Sequence, residues 1–348
     1  MFTPEAESLF ANADEFRRDL HVWFDAQHRL LPWRERPSVY KTVVSEFMCQ
    51  QTQVGTVIPY FERWMKLWPG FQSLAQADEA DVLRAWEGLG YYSRARRLHA
   101  LAKEVVRMEE PPRTADGWIE LPGVGAYTAA AIASIAYGDP VAVVDGNVVR
   151  VLSRLVCEER VFKDNGAAVK AVDPLAQAMV DPVFPGDFNQ AMMELGATVC
   201  YRRRPLCALC PVREYCAAEK RGVVEELPKF LPRETEKHEV RRALVTDAHG
   251  AVLLRRYGPD APTLSGLCEL PSAEGVLRLS PRSAPIAVKK RSIGNRAYTE
   301  LIYSAKASPA LLRRIAGDKG LFWASPTELA TVTLSGPHRK WLGELLQR

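Results

Sequence analysis

Apolar positions recur about every 3.6 residues through the first 220 residues, where no sustained alternation of apolar and polar positions occurs. This period is typical of amphipathic helices, because residues three and four apart share one helix face. The pattern predicts helices at Glu5–Gln27, Lys41–Gln53, Thr56–Leu67, Glu79–Glu87, Ser93–Arg107, Ala126–Tyr137, Gly146–Cys157, Gly166–Met179 and Asp187–Val199.

After Lys237 the pattern changes to short runs that are rich in apolar and β-branched residues. Runs of this kind predict strands, and two helical signals follow them. The predicted strands are Arg241–Thr246, Ala251–Arg256 and Thr299–Ala305, and the predicted helices are Pro309–Ala316 and Pro337–Gln347.

A polar stretch with flanking prolines separates the two patterns. We expect residues 1–226 to form a helical domain, 227–236 a linker and 237–348 a smaller α+β domain. Net charge divides in the same way, since residues 1–236 carry 28 Lys and Arg against 33 Asp and Glu, whereas the remainder carries 18 against 9. A basic C-terminal segment would attract a polyanion if its cations share one face, although dispersed solubilising charge explains the count equally well.

The composition is that of a globular chain, with 47% hydrophobic and 25% charged residues, which excludes a disordered or collagen-like protein. No apolar run reaches the length of about 18 residues that spans a bilayer, and acidic residues stand where a signal peptide needs basic and apolar blocks. We expect a soluble, cytoplasmic monomer without a membrane partner, associated with the nucleoid if its source is bacterial.

Four of the seven cysteines follow the spacing C-x6-C-x2-C-x5-C, namely Cys200, Cys207, Cys210 and Cys216. An odd total argues against a disulfide framework, and four thiolates so close in sequence indicate a metal centre. One close pair with two outlying ligands fits a 4Fe-4S cluster better than structural zinc, although zinc and unligated thiols stay open. The other cysteines are predicted to be small buried side chains: Cys49, Cys157 and Cys268.

A glycine-rich turn, LPGVGAYTA at residues 121–129, precedes a helix of small residues. Gly123 and Gly125 permit backbone conformations denied to other residues, so successive N–H groups can face outward at the positive end of a helix. This arrangement favours a phosphate, which fixes a protein's register along a nucleic acid without reading its sequence. An ordinary interhelical turn would use the same glycines.

The helix predicted around Glu46 carries neutral polar residues in place of the usual mixture of Lys and Glu. Glu46, Gln50 and Gln53 are spaced i, i+4 and i+7, which places them on one helix face with Thr42. No Lys or Arg occurs between residues 42 and 62. If this face borders a partly dry pocket, the pKa of Glu46 rises and the side chain becomes a proton donor near neutral pH. A surface glutamate with neutral neighbours is the alternative.

A second carboxylate, Asp145, follows the apolar run at residues 141–144 and precedes the helix predicted to begin at Gly146. This position is typical of a helix N-cap. It equally suits a fixed negative charge directed at a cationic transition state.

Together with the cysteine segment, six motifs closely resemble those of MutY-type adenine DNA glycosylases: LPWR (31–34), SEFMCQQTQV (45–54), GLGYYSRARRL (88–98), LPGVGAYTA (121–129), VDGNVVRVLSR (144–154) and FNQAMMELGA (188–197). The resemblance covers about residues 20–220 and implies a mainly α helix-hairpin-helix glycosylase domain with a 4Fe-4S cluster loop at residues 200–216. It further implies a base excision repair enzyme that removes adenine mispaired with 8-oxoguanine or guanine. Its partner would be double-stranded DNA containing a mismatch.

The resemblance also implies roles for individual residues. Glu46 would be the acid and Asp145 its electrostatic or nucleophilic partner, with Tyr127 and Asn147 hydrogen-bonded to these carboxylates. Endonuclease III-like enzymes carry a nucleophilic Lys where this chain has Tyr127, and because a phenol cannot form an imine, a monofunctional hydrolase is implied. The DNA contacts implied are Trp33, Arg34 and Gln190 around the adenine, Tyr91 as a wedge in the duplex, Gln51 near the resulting gap, and Gly123 and Gly125 at a phosphate.

The C-terminal segment departs from the family pattern. Most MutY-type proteins attach a Nudix-like domain that reads 8-oxoguanine through a Phe-Ser-His loop, and this triplet is absent here. The corresponding stretch is residues 290–298, with Asn295 and Arg296 as replacement donors and Ile293 as a wedge. No intact Nudix box occurs, so pyrophosphate hydrolysis is not expected. We expect a smaller α+β Nudix-like domain that contacts DNA and reads the opposite base differently or less strictly.

Two alternatives stay open at this point. The first is a mismatch glycosylase that acts on thymine or another base. The second is a non-catalytic, redox-responsive DNA-binding protein that uses a cluster as its sensor. Glu46 and Asp145 argue against the second alternative, because binding alone needs neither acid.

Overall fold

The computed structural model describes residues 2–232, 234–258, 261 and 266–347. The described residues form two compact units. The helical unit comprises residues up to 76 together with 97–232, and the sheet unit comprises residues 77–96 together with those after 233. Residues 77–96 thus belong to the sheet unit although their sequence period is helical, and the division at residues 227–236 stays a prediction.

Helices dominate the N-terminal part of the chain, as the 3.6-residue period predicts. No helix among the described residues combines the length and the apolarity needed to cross a membrane. In chain order the helices are α1 (Pro4–Ala11), α2 (Ala13–Gln27), α3 (Val39–Cys49), α4 (Val54–Leu67), α5 (Phe71–Ala75), α6 (Glu79–Ala85, in the sheet unit), α7 (Ser93–Val105), α8 (Ala115–Ile119), α9 (Ala126–Tyr137), α10 (Gly146–Leu155), α11 (Asn165–Met179), α12 (Pro185–Thr198) and α13 (Ala217–Lys220).

The first predicted helix is interrupted at Asn12, which separates α1 from α2. Asn12 leaves the helical conformation, with φ −114° and ψ 23°, and its side-chain amide donates to the carbonyl of Ser8 at 2.7 Å. Such local side-chain bonds compete with helix continuation. The prediction of one continuous helix from Glu5 to Gln27 was therefore wrong, because apolar periodicity alone does not detect this break.

Helix α9 has the bounds that the sequence predicts, and eight of its 12 residues are Ala, Ser or Thr. Its middle, from Thr128 to Ser134, is buried and packs against α3, α8 and α12. Small side chains allow neighbouring helices to approach closely. The helix therefore serves as the centre around which the elements that carry the candidate site are arranged.

A second group of helices, α1, α2, α10, α11 and α12, packs around one apolar core. Phe16 and Leu20 of α2 and Leu152 of α10 are almost fully buried there. Burying a side chain of this size stabilises the fold by roughly 1.5–3 kcal/mol. This core fixes α10 and α12 relative to each other, and both helices contribute to the candidate site.

The sheet unit contains a six-stranded mixed sheet with the order β5-β4-β3-β7-β6, and β8 pairs with β4. β3 and β7 are parallel neighbours along their whole length, from the pair Glu236 and Arg296 to the pair Thr246 and Lys306. With the helices that follow it, this sheet confirms the α+β prediction. The unit's elements are β3 (Glu236–Thr246), β4 (Val252–Arg256), β5 (Cys268–Glu269), α14 (Ala273–Val276), β6 (Ala287–Ile293), β7 (Arg296–Lys306), α15 (Pro309–Ile315), β8 (Leu321–Ala324), α16 (Pro326–Thr331) and α17 (Gly336–Leu346). Two further strands, β1 (Val161–Phe162) and β2 (Lys229–Phe230), pair in parallel within the helical unit.

The sheet unit contains a buried ion cluster. Arg242 donates to Glu269 at 2.9 Å and to Glu300 at 2.8 Å, and Arg291 donates to Glu269 at 2.8 Å. Both carboxylates are completely buried, as is His338 beside them. Two arginines and two glutamates cancel within this cluster, so it leaves the net basic excess of the C-terminal segment unchanged.

Candidate active site

A cavity of about 750 Å³ opens in the helical unit. Its walls come from the end of α2 and the loop after it, from α3, from the first turns of α9 and α10, and from α12. Seven of the predicted site residues line it: Trp33, Arg34, Glu46, Tyr127, Asp145, Asn147 and Gln190.

Glu46 is half-buried in the cavity wall, and its pKa rises to about 7. Loss of hydration is the main cause, and the neighbouring Asp145 adds to it. Hydrogen bonding with Tyr127 and the charge of Arg34 act in the opposite direction. Near neutral pH a large fraction of Glu46 therefore carries a proton, which is the state that a general acid needs.

The helix that carries Glu46 is shorter than the sequence predicts. α3 ends at Cys49, so Glu46, Gln50 and Gln53 do not share one helix face, and the predicted stripe was wrong. Gln50 instead donates to Thr128 Oγ1 at 3.1 Å, which ties α3 to α9. Gln53 is the N-cap residue of α4 and lines the cavity.

A cation lies near Glu46 although none is close to it in sequence. Arg34, in the loop before α3, lines the same cavity, and its charge lowers the pKa of Glu46. The fold therefore supplies a neighbouring cation from a separate segment, although residues 42–62 contain no Lys or Arg.

Asp145 is the N-cap residue of α10, as one sequence interpretation predicts, and it also lines the cavity. Its role as a fixed charge toward a cationic transition state stays a prediction. Its carboxylate accepts hydrogen bonds from the backbone N–H of Asn147 and Val148 and from Asn147 Nδ2, each at 2.8 Å. Burial raises the pKa of Asp145 above its ordinary value, whereas these three hydrogen bonds oppose the rise. Asp145 is thus held in one orientation by donors that favour its ionised form.

The apolar run before Asp145 is held in place by a buried side chain of α12. Asn189 accepts a hydrogen bond from the N–H of Val143 at 3.0 Å and donates to the carbonyl of Val141 at 2.9 Å. It also donates to Ser134 Oγ of α9 at 3.0 Å. One amide therefore connects α9, α12 and the segment that delivers Asp145 to the cavity.

Asn147 connects the cavity to the cysteine segment. Arg150 donates to Asn147 Oδ1 at 2.9 Å and to the carbonyl of Cys200 at 2.8 Å. α12 approaches closely here, because a Cβ atom at Gly196 would lie 2.5 Å from Asn147 Cβ. A side chain at position 196 would therefore displace Asn147.

Tyr127 lies in the first turn of α9, where its hydroxyl donates to Met193 Sδ at 3.4 Å and interacts with Glu46. Burial is the main cause that raises the pKa of Tyr127 well above its ordinary value, and the charge of Glu46 adds to the rise. Tyr127 therefore stays a neutral phenol. No lysine lines the cavity within the described chain.

A buried carboxylate that the sequence analysis missed lies on the α12 side of the cavity. Glu194 is 1% exposed. Its carboxylate accepts three hydrogen bonds, from the backbone N–H, Nε and Nη2 of Arg29. Arg34 Nη2 donates to the same carboxylate at 3.1 Å, and Arg34 Nε donates to Gln190 Oε1 at 3.0 Å. The only sequence signal is that Glu194 follows Gln190 by four residues on α12.

Trp33 both packs in the core and lines the cavity. Its ring is half-buried and contacts the ring of Phe61 edge-on, with 5.2 Å between the centroids. Trp33 therefore lines the cavity, as predicted, while one side of its ring packs against Phe61.

Two predicted DNA contacts, Gln51 and Tyr91, do not line the cavity. Gln51 lies in the helical unit between α3 and α4, and Tyr91 lies in the sheet unit after Gly90. Both side chains are exposed, and both residues have left-handed backbones, with φ 55° and 46°. Residues other than glycine rarely adopt this conformation, and it is concentrated at functional sites.

The predicted hairpin turn precedes α9. Gly123 has φ 78°, and a Cβ atom at this position would lie 2.4 Å from Arg97 Cβ, so conformation and packing both require glycine. Gly125 is the N-cap residue of α9. Both glycines are exposed at this helix start, as a phosphate contact requires.

The four cysteines of the predicted cluster loop line one small cavity. No group of three or more His, Cys, Asp or Glu side chains in the described chain could hold a single metal ion. Each iron of a cubane binds one thiolate, so a cluster needs cysteines arranged around a space, whereas one zinc ion needs them to converge on a point. Of the other cysteines, Cys157 and Cys268 are buried as predicted, but Cys49 is half-buried and lines the large cavity.

A buried cation borders the small cavity. Arg154 of α10 is 1% exposed, and it donates to Cys200 Sγ at 3.1 Å and to the carbonyls of Tyr201, Arg202 and Leu227 at 2.8, 3.0 and 3.1 Å. No carboxylate pairs with it in the part of the chain that the structure describes. A buried cation needs an anionic partner, and thiolates around a cluster fit that need.

Asn295 and Arg296 lie at the turn between β6 and β7 in the sheet unit. Both side chains are exposed, and both contact one carboxylate, with Arg296 Nε 3.0 Å and Asn295 Nδ2 3.4 Å from Glu236. An exposed contact of this kind contributes little stability, so these donors can change partners.

Comparison with solved structures places the chain among DNA glycosylases. A thermostable thymine-DNA glycosylase is 25% identical, with a TM-score of 0.54 over 61% of this chain and 98% of its own. An endonuclease III–DNA complex, 22% identical with a TM-score of 0.51 over 64% and 99%, shows the fold alone. Residues 44–165 match the family described as HhH-GPD superfamily base excision DNA repair protein. Fold and sequence together define a helix-hairpin-helix repair protein.

Among helix-hairpin-helix repair proteins, curated relatives of this chain are named adenine DNA glycosylase. The protein of Rattus norvegicus is 50% identical over 64% of this chain and 45% of its own length, and that of Homo sapiens 49% identical over 62% and 42%. The protein of Mycolicibacterium smegmatis is 40% identical over 66% of this chain and 75% of its own length. The chain belongs to the MutY-type adenine DNA glycosylase family. It spans less than half the length of the two mammalian relatives.

The raised pKa of Glu46 predicts a pH-dependent effect on stability. A folded-state pKa near 7, above the ordinary 4.5, means that Glu46 costs stability progressively between these two pH values. Glu46→Gln removes this cost. The free energy of unfolding of the variant, taken relative to that of the parent, should therefore be on the order of 2 kcal/mol higher at about pH 8 than at about pH 5. Urea denaturation at both pH values measures the change.

The matched control is Glu62→Gln, which makes the same change at an exposed position of α4. It should show no such rise. An identical stability difference at both pH values for Glu46→Gln would contradict the raised pKa.

Proposed function

We propose that the chain hydrolyses the N-glycosidic bond of adenine mispaired with 8-oxoguanine or guanine in double-stranded DNA and leaves an abasic site. The observation that carries this proposal is the pairing of Glu46 with Asp145 in one cavity. Burial raises the pKa of Glu46 to about 7, and three hydrogen bonds favour the ionised form of Asp145. Paired carboxyl groups with different environments supply the acid and the anion that glycosidic bond cleavage needs.

Glu46 acts as the general acid. Adenine is a poor leaving group until its ring is protonated, and Glu46 holds a proton near neutral pH. It donates this proton to adenine N7 as the bond between C1′ and N9 breaks. The resulting carboxylate then accepts a proton from the water that completes hydrolysis.

Asp145 acts on the sugar. Loss of the base leaves an oxocarbenium ion, and a fixed carboxylate stabilises that positive charge or captures it transiently. Asn147 holds Asp145 by two hydrogen bonds, so the anion does not have to reorient during the reaction. Tyr127, a neutral phenol beside Glu46, orients the acid.

The reaction stops at hydrolysis. A lyase needs an amine that forms an imine with the sugar, and this chain offers Tyr127 where endonuclease III-like enzymes have a lysine. The lining of the cavity, which contains no lysine among the described residues, supports a monofunctional enzyme.

Access to the base requires extrusion of its nucleotide, which costs a few kcal/mol and is cheapest at a mismatch. The exposed, strained positions of Gln51 and Tyr91 suit residues that enter the duplex and fill the gap. The glycine turn at Gly123 and Gly125 would hold a backbone phosphate at the start of α9. Trp33, Arg34 and Gln190 would surround the extruded adenine.

The sheet unit is proposed to be Nudix-like and to read the base opposite adenine. Asn295 and Arg296 are exposed donors at a strand turn, and both contact Glu236. On DNA they would exchange this carboxylate for acceptors of the opposite base. Because the Phe-Ser-His triplet is absent, 8-oxoguanine would be recognised by different contacts than in most MutY-type proteins.

Cys200, Cys207, Cys210 and Cys216 are proposed to hold a 4Fe-4S cluster. Their arrangement around one cavity and the buried Arg154 beside Cys200 support this assignment over a single zinc ion. A bound cluster would join four thiolates covalently and supply a buried negative charge opposite Arg154. The loop between α12 and α13 would be fixed by these bonds.

Two other functions remain as alternatives. The likeness to a thymine-DNA glycosylase favours a mismatch glycosylase of different base specificity as the first. A non-catalytic, redox-responsive DNA-binding protein is the second, and the half-buried acid Glu46 has no purpose in it.

Replacement of the acid tests the proposed chemistry. Glu46→Gln should lower the single-turnover rate of adenine release by at least about 100-fold, because the leaving group loses its proton donor, while binding to mismatched DNA is retained. Free adenine is quantified directly. The parent's product strand should remain intact until alkali is added, as expected of a monofunctional enzyme.

Glu62→Gln serves as the control and should release adenine at the parental rate. Parental release by Glu46→Gln would disprove the assigned acid. A parent protein that binds mismatched DNA but releases no base would support the non-catalytic alternative.

The opposite base tests lesion recognition. The parent should act faster on adenine opposite 8-oxoguanine or guanine than opposite cytosine, and the double change Asn295→Ala with Arg296→Ala should reduce the preference for 8-oxoguanine. Single-turnover rates on matched duplexes measure both, with the exposed Arg282→Ala as control. Equal parental rates on all three duplexes would refute lesion recognition, and release of thymine would favour the other mismatch specificity.

Removal of one ligand tests the cluster. Protein prepared without oxygen should contain about four irons per chain, and Cys210→Ser should lose most of this iron and its visible absorbance. Cys157→Ser, a change at a buried cysteine outside the small cavity, should retain both. One zinc per chain and no iron in the parent would contradict the assignment.

A further inference from the structure

The mechanism above leaves one buried group of charges in the cavity wall unused. Glu194 is almost fully buried, and both of its oxygens are occupied by Arg29 and Arg34. Arg29 alone would satisfy this carboxylate with three hydrogen bonds, so a purely structural ion pair would not require Arg34. The second arginine instead continues toward Gln190, a residue of the cavity wall.

Arg34 determines which way the Gln190 amide points. A guanidinium carries only donors, so the end of an amide that faces it must be the oxygen. Arg34 Nε donates to Gln190 Oε1 at 3.0 Å, which turns the amide nitrogen away from Arg34. Gln190 Nε2 has no hydrogen-bond partner among the described residues, and its two N–H groups are left for a ligand.

Glu194 determines where Arg34 lies. Arg34 Nη2 donates to Glu194 at 3.1 Å, and Nη1 donates to the carbonyl of Arg29 at 3.1 Å. With Nε bound to Gln190, each of the three guanidinium nitrogens has a fixed acceptor. Burial lowers the pKa of Arg34, whereas the charge and hydrogen bond of Glu194 raise it and thus preserve the cation. Without this carboxylate, the two adjacent arginines would lose the acceptor that they share.

We propose that Glu194 is a positioning residue for base recognition, which acts through Arg34 to hold Gln190 as a hydrogen-bond donor toward the extruded base. The inference rests on the proposed function and deepens it. A fixed donor suits a purine ring nitrogen, which offers a lone pair, and it disfavours a protonated ring nitrogen at the same place. Specificity at this wall is therefore set by a carboxylate that does not itself need to touch the base.

A double-mutant cycle tests this chain of contacts. Glu194→Gln keeps the shape of the side chain but removes its charge, and it should slow single-turnover adenine release about tenfold or more. Gln190→Ala should slow it as well. Because Glu194 acts through Gln190, adding Glu194→Gln to Gln190→Ala should cause less than about a twofold further loss.

A merely structural role predicts a different result. Destabilisation would reduce the active fraction by the same factor in both backgrounds, so equal fold-losses from Glu194→Gln with and without Gln190→Ala would overturn the proposal. An unchanged rate for Glu194→Gln alone would also overturn it. Circular dichroism and thermal melting establish that each variant is folded at the assay temperature.

A second variant covers the case in which Glu194→Gln does not fold. Arg34→Lys keeps a positive charge but loses the planar fork that joins Glu194 to Gln190. Arg34→Lys should slow adenine release as Glu194→Gln does, and adding it to Gln190→Ala should likewise cause little further loss of rate. Full additivity of the two rate losses would count against the proposal. Failure of the proposed function is separately visible, because the parent would then release no adenine in the same assay.

Discussion

Loss of hydration by two carboxyl groups in a single cavity is the constraint on which the helical unit depends. Two unpaired anions in such a space would be costly, so the surrounding residues must favour different protonation states. Three hydrogen bonds favour charge on Asp145, whereas Glu46 is left to bind a proton near neutral pH. The buried amide of Asn189 fixes the segment that precedes Asp145, and the close packing at Gly196 fixes Asn147, which holds the Asp145 carboxylate.

The fold was predictable wherever local pattern and local packing agree. α9 has its predicted bounds because its small residues form a helix and also allow close neighbours. The break at Asn12 was missed because one side-chain hydrogen bond decides it. β6 was missed because its three consecutive cations, at positions 289–291, resemble a solvated loop, and only pairing with β7 makes it a strand. The membership of residues 77–96 in the sheet unit likewise depends on contacts distant in sequence.

The candidate site was also predictable only in part. Short motifs contain Glu46, Asp145 and the four cysteines, and the chemical roles of these residues can be predicted without a structure. Glu194 and Arg154 lie in two of the motifs, at 188–197 and 144–154, but the motifs do not reveal their roles, because each residue acts through partners far away in the chain. Glu194 binds arginines from the loop after α2, and Arg154 binds the carbonyls of Tyr201 and Leu227. A buried charge acquires meaning only from what it contacts, and sequence spacing does not supply that information.

The double duty of Asp145, as helix cap and as anion, separates inactivation from unfolding. Asparagine caps helices about as well as aspartate does, so a chain altered in this way would keep its shape while losing the charge. Cellular quality control removes proteins that unfold, and it would overlook such a chain. Under the proposed function, an inert copy of this kind would persist and compete with intact molecules for mismatched DNA.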